Sequence, residues 1–481
     1  MSDYFSSEEN NMADYTVNIN PNEIRTESFD GWGCSLSWWA NQFGNVDNAD
    51  MLADICFSTK TVPWQGENLL GLGINIIRYN IGGGGGGGRI NDNTIEQVSP
   101  QMPGFKNIKG YWLNWDSDYP ASNSWNWQLD ANQRHMMQRA KDRGVNLFEF
   151  FSVSPMWWMC NNHSTAGGSG GNNLQEWNYN QFAKYLATVV KYARDNWGIN
   201  VNYIEAFNEP SAWWWKYPLE QEGCSFDHDS QKKVISYLRE ELDKIALQNV
   251  GITASDENDM DSALSTWNAF DQDTHNKIAK IDVHGYYGLE PYRGNGRIPL
   301  RQAVGRKKIW MSEYGDADAS GMSMADTIVR DMTDLQPEAW IYWQPFDGGA
   351  WGLIQSNAGD NRIGSTNRKY FVFSQFSRHI KQGCRIIGSD DHNTVVAYNE
   401  RDCKLTIVTL NFNEGQTINY NLSAFGHVGG PIERWETTTS PGNDIPDKKY
   451  QVFTDTTLQD KHFESSFYPN SVYTFEIQDV Y

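Results

Sequence analysis

The sequence predicts an α/β fold: a (β/α)8 TIM barrel with an attached antiparallel β-sandwich side domain. Three observations lead there. Eight short apolar runs recur between residues 29 and 346, each separated from the next by a helical or loop stretch. Most are nearly continuous in apolar character, as expected of strands buried on both faces of a parallel sheet. After about residue 383 the texture changes to strand-like runs joined by turns, with no convincing helix among them, which reads as a sandwich.

The barrel strands are expected at 31–38, 74–79, 145–152, 201–207, 250–255, 281–284, 308–313 and 340–345. Between them lie amphipathic segments. Phe182, Leu186, Val189 and Ala193 follow helical spacing, and Gly198 stops that helix. A second helix is expected over 131–143, with Asp130 as N-cap and Gly144 beyond its end. Eight such units in this length make a (β/α)8 barrel. The sandwich strands are expected at 394–398, 404–412, 416–422, 432–438, 451–456 and 472–477, and the alternating segment 15–20 is expected to join them. The domain boundaries follow: a polar tail over 1–14, an N-terminal strand region over 15–28, the barrel over 29–383 and the sandwich over 384–481.

Composition narrows the function. The 481 residues suit one large domain and a smaller one. A net charge of -21 argues against nucleic acid and anionic membranes, which need a basic face. No apolar run approaches the roughly 20 residues of a membrane span. The 21 Trp, 23 Tyr and 22 Phe indicate either a large aromatic core or a cleft whose flat ring faces stack on sugars. Cys34, Cys56, Cys160, Cys224, Cys384 and Cys403 form no CxxC pair, so a zinc or redox motif is not indicated. Their even number permits disulfides, and buried thiols account for them equally well. The start of the chain is polar and acidic, without the basic-then-apolar pattern of a secretory leader.

Seven consecutive glycines, Gly82 to Gly88, follow the second strand. The Lys-Ser/Thr of a phosphate-binding loop and the dinucleotide-binding spacing are both missing, so the run reads as permissive backbone at the barrel rim. It leads into a long second loop rich in aromatics, including Tyr111, Trp112, Trp115, Trp125 and Trp127. That loop is either a substrate wall or a self-packed aromatic lid.

Two segments carry the chemistry. Ile204-Glu205-Ala206-Phe207-Asn208-Glu209-Pro210 and Ile309-Trp310-Met311-Ser312-Glu313-Tyr314 each end an apolar strand in a glutamate. Hydrolysis of a glycosidic bond needs two carboxyls facing each other across a sugar, and strand ends of one rigid scaffold fix their separation. Glu209, after strand four, is therefore the candidate acid/base, and Glu313, ending strand seven, the candidate nucleophile. Asn208 is placed to bond the sugar 2-hydroxyl. His284 and Tyr286, after strand six, are placed to adjust Glu313. Arg78, at the end of strand two, supplies a positive charge that keeps the nucleophile ionised. Trp38, Trp157, Trp214, Trp215 and Trp343 are candidate cleft walls, with Trp39 and Trp213 in the same stretches. Asp30 and Glu222 are further candidate substrate-binding residues. Alternatively, Arg78 is a structural ion pair, His284 a satisfied core histidine and Glu222 structural.

Longer motifs carry a resemblance. Phe29-Asp30-Gly31-Trp32-Gly33, Arg78-Tyr79-Asn80-Ile81-Gly82-Gly83, Ser154-Pro155-Met156-Trp157-Trp158-Met159 and Tyr370-Phe371-Val372-Phe373-Ser374-Gln375-Phe376-Ser377 together resemble glycoside hydrolase family 30 over nearly the whole chain. Met156 departs from the pattern, which commonly has a second proline there, and the glycine run is longer than the family's. The resemblance implies a barrel with a side sandwich fed by both termini, retention of configuration, and no cofactor or metal. Within the family, Ser35 to Ala40, Asn208 to Ala212, Trp214 to Pro218 and Gln221 to Cys224 resemble the endo-β-1,6-galactanase group. The expected partner is then a β-1,6-galactan polysaccharide, cleaved by a monomer. Secretion is expected from that substrate, and the chain's start leaves cytoplasmic placement open. The rival enzymes are a β-1,6-glucanase or a xylanase of the same family. The rival of another class is a non-catalytic carbohydrate-binding protein on a hydrolase scaffold.

Overall fold

All eight expected strands are present in the computed structural model, which describes residues 13–90, 93–286 and 296–481. They are Gly31–Ser35, Ile76–Asn80, Leu147–Phe151, Tyr203–Glu205, Gly251–Glu257, Ile278–His284, Lys308–Tyr314 and Ala339–Tyr342. Each pairs with the next in sequence, and the eighth closes on the first with Ala339 opposite Gly31, so the barrel is parallel throughout. The first strand stops earlier than expected. The apolar run after Ser35 has helical period, and Ser37–Phe43 is a helix that buries Trp39, Ala40 and Phe43.

The barrel interior changes character from bottom to top. Ile76, Trp310, Ala339 and Ile341 pack its N-terminal end. Above them Lys280 bonds Glu149 and Asp282, its ammonium 4.0 Å from the Trp310 ring centroid. Arg78 lies next toward the C-terminal ends and shares Glu149. The charged column is buried but paired, as buried charges must be.

The helix expected over 131–143 is Ala131–Asp142, but Asp130 does not cap it. Its backbone is left-handed (φ 51°), and its carboxylate turns inward to accept from Tyr79 and, at 2.8 Å, from Gln133 Nε2. Burial pushes that carboxyl up to about 7. The other expected helix is Tyr179–Tyr192 with one π turn, Ala193–Trp197, and Gly198 ends it at φ 65°.

The side domain is one nine-stranded sheet folded on itself. Strand Tyr15–Thr26 is its hinge: its first half runs parallel to Gln416–Asn421 and its second half antiparallel to Arg385–Ser389. The sandwich is thus antiparallel except for this one pairing among the described strands. Val17, Ile387, Ile407, Tyr420, Phe463 and Phe475 fill the space between its leaves. Two strands of this sheet were not expected. His462–Phe467 has only two apolar residues, and Arg385–Ser389 begins where the helical texture ends. The buried helix Arg368–Ser377 joins the two units. Its Phe373 meets Trp32 of the barrel at 5.6 Å between ring centroids, and its Gln375 amide donates to Thr437 of the sheet at 2.8 Å.

The long second loop packs on itself and on the helix Tyr179–Tyr192. Trp112 stacks on Trp125 at 4.8 Å, and Trp127 on Tyr192 at 3.7 Å. The glycine run has a steric cause. A Cβ on Gly83 would stand 2.2 Å from the Pro155 carbonyl oxygen, and Gly87 adopts φ +84°. The amides of Gly85, Gly87 and Gly88 converge on the Glu96 carboxylate, so the loop is an anion-binding nest filled by the chain's own side chain. All six cysteines are unpaired thiols. No helix among the described residues is long and apolar enough to cross a membrane.

Candidate active site

The C-terminal mouth of the barrel holds a cleft of about 440 Å³. Glu209 reaches it from the bend after strand four. Its left-handed backbone (φ 51°) is pinned on both sides: its N–H donates to the Asp256 carbonyl at 2.8 Å, and its own carbonyl accepts from Trp215 Nε1 at 2.7 Å. Such a conformation is costly for a non-glycine residue and is held by its surroundings. Glu313 faces it from the end of strand seven. One carboxylate oxygen of each, together with a ring nitrogen of His284, fall within 4.8 Å of one another.

Every support of this pair is directional. Tyr286 donates to Glu313 Oε1 at 2.7 Å, and Arg78 Nη1 to Oε2 at 2.9 Å, so each oxygen of Glu313 has its own donor. Glu209 Oε1 accepts from Asn258 Nδ2 at 2.7 Å and lies 3.1 Å from His284 Nδ1. The same Nδ1 is 3.6 Å from Glu313, and His284 Nε2 is 3.0 Å from Asp256 Oδ1. Asp256 also bonds Arg78 and accepts from Ser312 Oγ at 2.6 Å. One imidazole and one guanidinium therefore tie together the ends of strands two, five, six and seven.

The charges follow from this geometry. Burial opposes the His284 imidazolium, yet Glu313 and Asp256 hold its pKa well above the usual histidine value. Burial likewise raises Asp256, but Arg78 and His284 overcome it and leave that carboxyl well below the usual range. Glu313 is the balanced case. Burial raises it, His284 and Arg78 pull it down, Glu209 and Asp256 push it up, and the net direction is upward. The Tyr286 phenol is raised by burial and by both glutamates, so it stays a proton donor.

Most of the expected site residues meet here. Trp38, Asn208, Glu209, Glu222, Tyr286, Glu313 and Trp343 line the cleft, with Arg78 and His284 immediately beneath. Trp38 and Trp343 form an edge-to-face corner at 5.0 Å, and Lys106 lies 4.1 Å above the Trp38 ring. Glu222 is buried, and burial drives its carboxyl well above the ordinary value.

Four expectations are corrected. Asp30 precedes strand one and so lies at the opposite end of the barrel, where it accepts from Lys308 Nζ at 2.6 Å and Trp310 Nε1 at 2.9 Å. Trp157 is buried under the glycine run, its Nε1 against Gly85. Trp215 is buried as the prop of the Glu209 carbonyl. Trp214 is half-buried between its neighbours and outside the cleft lining. Residues missed include Asp256 and Asn258, at and just past the end of strand five, and the cleft residues Lys106, Asp347 and Trp351. The run Asp256-Glu257-Asn258-Asp259 is as polar a strand end as Asn208-Glu209 and was the available signal.

A parallel barrel whose mouth holds two carboxyls this close, walled by tryptophan, has the construction of a glycoside hydrolase. Comparison with known proteins agrees. The sequence model of O-glycosyl hydrolase family 30 matches residues 14–281. An endo-beta-1,6-galactanase of Hypocrea rufa is 43% identical over 475 residues, covering 97% of this chain and 95% of that protein. Among solved structures, a conserved exported protein from Bacteroides fragilis superposes with a TM-score of 0.77 at 19% identity, covering 96% of this chain and all of that one. The catalytic domain of xylanase C from Talaromyces cellulolyticus does so with a TM-score of 0.70 at 18% identity, again over 96% of this chain and all of that one. The chain belongs to glycoside hydrolase family 30.

Proposed function

We propose that this protein is an endo-acting β-1,6-galactanase that works with retention, Glu209 serving as acid/base and Glu313 as nucleophile. The observation that supports the mechanism is that one carboxylate oxygen of Glu209 lies within 4.8 Å of one of Glu313. Retaining enzymes place these groups about 5–5.5 Å apart, whereas inverting ones leave about 6.5–9.5 Å for a water. In the first step Glu209 gives its proton to the departing O6 as Glu313 attacks C1. In the second, Glu209 takes a proton from the water that releases the sugar from Glu313. The donors on Glu313 hold its carboxylate in one orientation, so little reorganisation is needed at the moment of attack.

The substrate assignment rests on the 43% identical galactanase relative and on a cleft with polar groups for a neutral sugar. Galactose differs from glucose in its axial 4-hydroxyl, and a buried acid that stays protonated can both donate to and accept from a hydroxyl. Glu222 is such a group, and we assign it to that contact. Asn208 is assigned to the 2-hydroxyl. Action on plant galactan side chains implies work outside the cell. The test is a parallel product profile on de-arabinosylated arabinogalactan, β-1,6-glucan and glucuronoxylan. Short galacto-oligosaccharides with β-configured first products are expected. A higher specificity constant on β-1,6-glucan would overturn the substrate while leaving the catalytic pair intact.

A further inference from the structure

A second hollow of about 390 Å³ lies beside the cleft and shares none of its lining. The two are joined through one loop. Asn208 and Glu209 line the cleft, and the next residues, Pro210, Ser211, Ala212 and Trp213, line the hollow. Trp213 is 75% exposed, an unusual state for the largest apolar side chain. Its ring has two neighbours. Trp214 meets it edge-on at 5.9 Å with an interplanar angle of 82°, and Lys216 Nζ stands 5.8 Å from its centroid. The hollow is also lined by polar side chains. Asn172 donates to Asp227 Oδ2 at 2.8 Å and accepts from the Asp227 amide at 2.6 Å, fixing both side chains. An exposed indole that lines the same hollow as a braced amide and carboxylate suits a pyranose, which has an apolar ring face and a hydroxylated edge.

We propose that this hollow is a leaving-group-side subsite of the enzyme, in which Trp213 stacks on a galactosyl unit of the departing chain. The direction comes from chemistry. The acid/base protonates the oxygen of the leaving sugar, so the leaving chain lies on the Glu209 side of the cleaved bond. Continuing along the Glu209 loop leads to Trp213. The proposal rests on the assignment of Glu209 as acid/base. It depends on β-1,6-galactan only for the identity of the sugar.

The test uses wild type, Trp213→Ala and Trp213→Phe on β-1,6-linked galacto- and gluco-pentaoses labelled with ¹⁸O at the reducing end. Bond-cleavage frequencies are read by mass spectrometry, and kcat/KM is compared with that on an aryl β-1,6-galactobioside, whose leaving group does not extend into the hollow. Trp213→Ala is expected to lower the pentaose-to-aryl ratio of kcat/KM by about tenfold or more. It should also move cleavage toward bonds that leave fewer units on the reducing side. Trp213→Phe should recover part of both effects. Equal losses on pentaose and aryl substrate, or an unaltered cleavage pattern, would overturn the subsite. The subsite is read on whichever pentaose series wild type cleaves faster. Preference for the gluco series would therefore overturn the galactanase reading separately.

Discussion

Arg78 Nη1 lies 2.9 Å from Glu313 Oε2, and both side chains are buried. The same guanidinium also holds Glu149 and Asp256, so a single cation from strand two is shared by three carboxylates. Its pKa is correspondingly raised, the attraction of Asp256, Glu313 and Glu149 outweighing burial. Lysine would keep a charge but not the planar fork that serves several partners at once. As the proposed nucleophile, Glu313 must be ionised to attack, so activity should fall as pH drops through its pKa. Arg78 is one of the two groups pulling that pKa down. In Arg78→Lys the acid limb of the kcat/KM profile should therefore move to higher pH, with the plateau lowered about a hundredfold. A pH–rate profile checks both effects, and an unmoved acid limb would separate Arg78 from the titration of Glu313.

Removal of the other carboxylate has a different signature. Glu209→Ala leaves the attack by Glu313 possible when the leaving group needs no proton. The variant should hydrolyse natural linkages poorly and aryl glycosides with good leaving groups much better. Azide, which fits the vacated space as an unprotonated nucleophile, should speed turnover and yield a β-glycosyl azide. Equal losses on both substrate types without an azide product would remove Glu209 from the role.

The eight strands and the placement of both glutamates at strand ends were legible because they depend on local signals: unbroken apolar runs and a polar strand end. The supporting network was only half legible. Arg78, within strand two, and His284, ending strand six, could be suspected, but that both converge on Asp256 depends on how strands two, five and six come together, which no motif records. The tryptophans were read least well. Trp157 and Trp215 have the same sequence context as Trp38, yet one lies beneath Gly85 and the other braces a backbone carbonyl. Exposure of an aromatic is set by what packs over it, which for Trp157 is a loop far away in sequence. Asp30 misled for a simpler reason: it precedes its strand, and in a parallel barrel that is the wrong end.

Glu257 should shape the pH dependence of stability. It is buried, and accepts from Ser211 Oγ at 2.6 Å and Thr266 Oγ1 at 2.7 Å. Burial raises its pKa from 4.5 to about 7. A carboxyl raised in the folded state holds its proton there while the unfolded chain has lost it. Its contribution is thus complete below pH 4.5 and is lost as pH rises through about 7. By linkage this amounts to about 3 kcal/mol across that window. Glu257→Gln should flatten this part of the profile, measured as Tm or as denaturation midpoint between pH 4 and 8. A variant that declines as steeply as wild type would contradict the assignment.

The glycine run makes a contrast within one loop. A Cβ at Gly83 would meet the Pro155 carbonyl oxygen at 2.2 Å, whereas at Gly88 the nearest atom is 3.6 Å away. Gly83→Ala should be destabilised by several kcal/mol, or fail to fold, because backbone cannot yield cheaply. Gly88→Ala should lie within about 0.5 kcal/mol of wild type. Thermal denaturation of the two variants decides it.

Glu313, as the proposed nucleophile, should form a covalent bond to the sugar. Incubation with a 2-fluoro-β-1,6-galactobiosyl fluoride, which allows attack but slows release, followed by proteolysis and mass spectrometry of the peptides, tests it most directly. One adduct per chain is expected, located on Glu313 and lost on adding an acceptor alcohol. Turnover with no adduct at all, or an adduct on Glu209 or any other residue, would contradict it.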